Sequence, residues 1–138
     1  MKKISVLLIG ILLISCSKTV NQESATLKIT SISPVNSGSI KMNSDAEFTW
    51  SLSASDPSTS VYSRIKIVEI IGNESPENAI RGNKPFFEKD SLIAVKVVIK
   101  PSVGTPGFGL DKKYVWQVTA RQKTLSANSS LSIFTVVR

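Results

Sequence analysis

Histidine is absent from the sequence, and cysteine occurs once, at position 16. Without an imidazole there is no Ser-His-Asp or Cys-His nucleophile system, and the commonest metal ligand is missing. A lone Cys can form no disulfide within the chain, and it is too little sulfur for a thiolate metal site. Charge of one sign is never concentrated: the net charge is +7, but Lys28, Lys41, Arg64, Lys66, Arg81, Lys84, Lys96, Lys100, Lys112, Lys113, Arg121 and Lys123 are interspersed with acids. No dense basic run of the kind that tracks a phosphate backbone is present, so no nucleic acid partner is expected. The excess charge reads first as solubility, and second as weak attraction to an anionic membrane or polysaccharide.

The one long apolar run lies at the start. Met1-Lys2-Lys3 is followed by apolar residues from Ile4 to Ile14, broken only by Ser5 and Gly10, and the run ends at Ser15-Cys16. A helix that crosses a bilayer needs about 20 apolar residues. This shorter run behind a basic start is expected to be a secretory signal peptide, residues 1–15. Residues 16–25 are polar and aperiodic, as a flexible tether is, and residues 26–138 make one domain with no disulfide to hold it.

Leu13-Ile14-Ser15-Cys16 resembles the lipobox of bacterial lipoproteins. The resemblance implies that Cys16 is acylated, with palmitate-type chains on sulfur and on the new N-terminus, and that the protein is held to a membrane through that lipid. Ser17 and Lys18 follow without an Asp, which by the same resemblance favours the outer membrane of a Gram-negative cell envelope, on its periplasmic face or at the cell surface.

Beyond the tether the pattern is that of short strands. Leu27 to Ile32 alternates loosely and stops at Ser33-Pro34; Ser39 to Met42 is a short continuation. In Ala46 to Leu52, Ala46, Phe48, Trp50 and Leu52 share one face. Val61 to Ile71 puts Val61, Ile65, Ile67 and Ile71 on one side and Tyr62, Arg64, Lys66, Val68 and Ile70 on the other, as a strand with a half-covered outer face would. Residues 72–78 read as a polar turn, Ala79-Ile80-Arg81 as a brief edge pairing, and Ser91 to Lys100 as one strand partly buried on both faces.

Pro101 to Gly109 is a loop, and Lys113 to Ala120 is the most regular strand, with Tyr114, Trp116, Val118 and Ala120 facing one way. Arg121 to Ser129 reads as a polar hairpin connection, and Ser130 to Val137 as a final strand. About seven strands and no helical period after the leader predict a single all-β sandwich of immunoglobulin-like type.

Pro34, Phe48-Thr49-Trp50, Tyr114 to Ala120, and Ser130 with Phe134-Thr135-Val136 follow one another as in fibronectin type III-like domains, which the chain resembles from Ile32 onward. The resemblance implies that Trp50 and Tyr114 are core residues and that the Tyr114 hydroxyl closes a corner on backbone upstream. Leu110 stands four residues before Tyr114, where that family usually has six.

Groups with a catalytic look are few. Ser63-Arg64-Ile65-Lys66 has the Ser-x-x-Lys spacing of penicillin-recognising serine enzymes, but in a strand residues three apart point to opposite faces. Asp45/Glu47 and Glu88/Asp90 are paired carboxylates, but a glycosidase needs such groups across a cleft and calcium needs several more oxygens, and both pairs sit beside turns, where solvated acids are ordinary. Residues 104–109 (Gly-Thr-Pro-Gly-Phe-Gly) have no Lys-Ser/Thr after them, so they form no phosphate loop; Phe108 is placed to plug the sandwich end. Asp90-Ser91-Leu92 resembles the acceptor for O-glycosylation of exported proteins in some anaerobic bacteria.

These readings predict a non-enzymatic, lipid-anchored envelope module without a cofactor. It would bind a protein or polysaccharide partner through its loops or an edge strand. A carbohydrate-binding variant of this reading requires exposed rings close together, and Tyr62, Phe86, Phe87 and Phe108 are the rings available for ligand contact.

Overall fold

The computed structural model describes residues 25–100 and 107–138, so the leader, Cys16 and most of the tether lie outside the described residues. Nine strands and one helix are found among the described residues: β1 (Leu27–Ser33), β2 (Gly38–Lys41), β3 (Ala46–Ala54), β4 (Tyr62–Glu69), α1 (Pro76–Gly82), β5 (Phe87–Leu92), β6 (Lys96–Ile99), β7 (Lys113–Gln122), β8 (Leu125–Asn128) and β9 (Ser132–Val137). They form two sheets. The small one has the order β1-β3-β6; the large one runs β2-β9-β7-β4-β5, with β8 also paired to β7.

The alternation of β3 and β7 becomes the core. Ala46, Phe48 and Trp50 from the small sheet meet Tyr114, Trp116, Val118 and Ala120 from the large one, with Ile65, Ile67, Phe134 and Val136 beside them. Rings dominate one end: Phe48 lies edge-on to Trp116 and to Phe134, at 5.3 and 5.6 Å between centroids, and Tyr114 stacks on Phe134 at 5.4 Å. Such offset and edge-on pairs add about 0.5–1.5 kcal/mol each beyond the area that they bury.

The chain changes sheets five times, at β1–β2, β2–β3, β3–β4, β5–β6 and β6–β7. After Ser33 it leaves the small sheet and pairs β2 with β9, in parallel, in the large one. The change between β5 and β6 corrects the expectation of one strand from Ser91 to Lys100. β5 ends at Leu92, the chain crosses at residues 93–95, and β6 begins at Lys96 in the other sheet. The cause is local: Ser91 has φ 59°, its N–H bonds to Asp90 Oδ1 at 2.7 Å, and the β4–β5 register slips between Ser63 and Ile65. Val97 and Ile99 reach the core, whereas Ile93 and Val95 stay exposed.

Residues 76–82 are a helix, neither polar turn nor edge pairing. The Ser75 hydroxyl caps it by accepting from Asn78 N–H at 3.2 Å, Pro76 occupies the first turn, and Asn83 N–H closes the far end on Ala79 O. These are the residue types that start a helix. Ala79 is fully buried against Val68 and Val115, on the outer face of the large sheet. That accounts for the mixed outer side of β4: Val68 is covered and Lys66 is not. Likewise, the polar connection expected after Ala120 is a tight hairpin: β7 runs on to Gln122 and β8 returns, with Lys123 at φ 52° in the turn.

Candidate functional site

The outer face of the large sheet collects what the sequence scatters. β4 and β7 pair in the register Tyr62↔Arg121, Arg64↔Thr119, Lys66↔Gln117 and Val68↔Val115. Ile65, Ile67, Trp116 and Val118 are buried between the sheets, so these four rows face outward. Helix α1 covers the last row. The other three run from the end of the sandwich where β1 begins, and they lead into a depression of about 290 Å³ lined by Arg64, Lys66, Arg81, Glu88, Gln117 and Thr119 beside Ile80.

Each cation is oriented. Arg64 pairs with Glu88 at 2.5 Å, both side chains being part-exposed, and Arg81 donates to Asn78 Oδ1 at 2.7 Å. Lys66 Nζ donates to Ile80 O at 2.5 Å, a cation on a carbonyl of the helix's last turns, where the helix dipole favours positive charge. Gln117 Nε2 donates to Ser129 O at 3.0 Å, and Thr119 donates to Asn128 Oδ1 at 2.7 Å.

A second polar cluster fixes the end at which β1 starts. Asp56 accepts from the Ser58 hydroxyl and N–H, from Thr59 and from Lys123, and these bonds, that of the Ser58 hydroxyl first, hold its carboxyl well below the usual carboxylate range. Buried Gln122 donates to Asp56 O and Thr59 O, at 2.7 and 2.8 Å. The β3–β4 loop and the β7–β8 turn are thereby one unit, and Thr26 joins it through Ser55.

The four candidate ligand-contact rings are not brought together as an exposed set, although Phe86 and Phe108 stack at 4.5 Å. Phe108 is buried against Phe48, Phe86, Tyr114 and Phe134, plugging the end opposite the Asp56 cluster. Phe86 and Phe87 pack on the core, and Tyr62 stands alone, 47% exposed. These four form no exposed platform for a sugar. Ser63 is fully buried and accepts from Trp50 Nε1 at 3.2 Å, while Lys66 lies on the outer face, so the Ser-x-x-Lys pair is divided between the two sides of β4.

Glu47 pairs with Lys96 and Asp45 with Lys100, Glu88 holds Arg64, and Asp90 serves the β5 bend. Ser91 is exposed. Among the described residues no group of three His, Cys, Asp or Glu side chains could hold a metal ion, and no helix is long and apolar enough to cross a membrane. Cys16 and residues 101–106 lie outside the described residues. The helix and the face beside it are what sequence reasoning missed; Ser75-Pro76-Glu77 was the signal for the first, and only the strand register reveals the second.

No family model matches the sequence, and no curated protein matches it. A solved structure from Clostridium thermocellum, of the CbhA fibronectin(III)-like modules, superposes with a TM-score of 0.50. At 13% identity it covers 80% of this chain and 96% of its own. The likeness concerns fold, and with the two sheets described above it makes this chain an all-β sandwich of fibronectin type III-like architecture.

Proposed function

We propose that the protein is a non-enzymatic, lipid-anchored accessory or interaction module of a bacterial outer membrane. The observation that carries this reading is Cys16 at the end of a lipobox-like run, nine residues before the described domain begins at Ala25. Those nine residues reach at most about 30 Å when fully extended, so the end of the sandwich holding Thr26, Ser55 and the Asp56 cluster would face the membrane. The likeness in fold to a solved fibronectin(III)-like module supports an accessory or interaction role. The partner is a protein or a glycan of the envelope. A carbohydrate-binding role based on stacked rings has lost its platform, because three of the four rings pack into the core.

The test is the mass of the protein recovered from membranes. Acylation at Cys16 adds the mass of the lipid chains to a chain beginning at that residue, and Cys16→Ser moves the protein to the soluble fraction. An unmodified Cys16 in a membrane-free protein would defeat the anchor, and hydrolytic activity of the purified protein would defeat the non-enzymatic reading.

A further inference from the structure

We infer that the outer face of the large sheet, between α1 and the end at which β1 begins, binds an acidic polysaccharide through charge. The inference rests on the binding-module reading above and is independent of the lipid anchor. Arg121, Arg64 and Lys66 occupy three successive rows of the β4–β7 pair, each about 7 Å from the next, and Arg81 extends the line from α1. Among the described residues, Glu88 is the one carboxylate that pairs with a cation of this line, so three of the four cations have no carboxylate partner there. The depression of about 290 Å³ lets a chain settle between the helix and β5.

What lies beside the cations favours a sugar chain. With Thr119 and Ser129 satisfied as described, Gln117 retains a carbonyl oxygen and Asn128 an amide NH₂, an acceptor and a donor suited to hydroxyl groups. A lipid surface takes apolar side chains below its headgroups. Here Tyr62 alone is a large exposed apolar side chain; Ile32, Val35, Met42, Ile71, Ile93, Val95 and Val98 belong to other elements. A uronic acid polymer therefore fits this face better than a membrane does. Its carboxylates would meet the guanidinium groups and Lys66, one of them displacing Glu88 from Arg64.

The experiment titrates the purified protein with polygalacturonate oligosaccharides, with dextran as the neutral comparison. Expected is saturable binding to the polyuronate that weakens with salt and none to dextran. Arg64→Ala, Lys66→Ala and Arg121→Ala together should weaken it about tenfold, from three part-exposed charges of modest individual worth. Glu88→Gln removes the competing acid, takes no cation from the sheet, and should strengthen binding about twofold. It also keeps the question open should the triple variant fail to fold. Lys28→Ala, on the exposed side of the small sheet, should change nothing. Absence of polyuronate binding, equal binding to dextran, a folded triple variant of unchanged affinity, or binding confined to phosphatidylglycerol vesicles would each overturn the inference.

Discussion

The hydroxyl of Tyr114 accepts a hydrogen bond from the backbone N–H of Gly109, 3.0 Å away. It ties the segment that carries Phe108 to the central strand, and so keeps that ring against Phe86 and Phe134 at the sandwich end. The resemblance to fibronectin type III-like domains implied such a corner, and it forms here from five residues upstream with the phenol as acceptor.

Desolvation pushes the Tyr114 phenol above its ordinary pKa, outweighing the Gly109 bond and Lys112, which pull it down. A raised value means that the folded state holds the proton more tightly. The stabilisation is complete below about pH 10 and is lost as pH rises through the raised folded value. Tyr114→Phe should cost about 0.5–1.5 kcal/mol at neutral pH and flatten the alkaline limb, as urea unfolding at neutral and alkaline pH will register.

Trp50 and Trp116 are both fully buried, but Trp50 Nε1 donates to Ser63 whereas Trp116 Nε1 has no partner among the described residues. Ser63→Ala strands the Trp50 N–H and should cost about 1–3 kcal/mol. Replacing either Trp by Phe loses the same volume, so Trp50→Phe should be the more damaging by about 1 kcal/mol, the worth of one hydrogen bond. Denaturant midpoints of the three variants decide this.

Trp116→Ala empties the middle of β7 and should cost about 3–5 kcal/mol, much of a domain's stability of about 5–15 kcal/mol. The variant's denaturant midpoint should fall well below that of the parent protein. A midpoint close to that of the parent protein would show that Trp116 is not central to the core.

Asp56 gives the opposite pH sign to Tyr114. Its folded pKa is depressed, chiefly by the Ser58 hydroxyl and then by Lys123, so its contribution is present above about pH 4 and disappears as pH falls through the depressed folded value. Asp56→Asn should lower the melting temperature at neutral pH and make the acid limb shallower.

How much of this was legible depended on whether the information is local. The faces of β3 and β7 and the burial of Trp50 and Tyr114 follow from a two-residue period, and they were readable. Residues 92–99 alternate on both faces, and nothing in that pattern marks where a strand changes sheets. α1 is too short for a helical period and announces itself only through Ser75 and Pro76. The basic face was the least readable, because Arg64 and Arg121 become neighbours through a register between strands, which neither strand encodes alone.

The proposed role as a binding module stands on the outer face of the large sheet. The most direct measurement follows backbone amide resonances of the isotope-labelled protein as polygalacturonate oligosaccharides are added. Shifts should concentrate at Arg64, Lys66, Arg81, Gln117, Thr119 and Arg121, with β1 and β3 unmoved. No shifts, or shifts confined to the small sheet or to the turns at the sandwich ends, would contradict it.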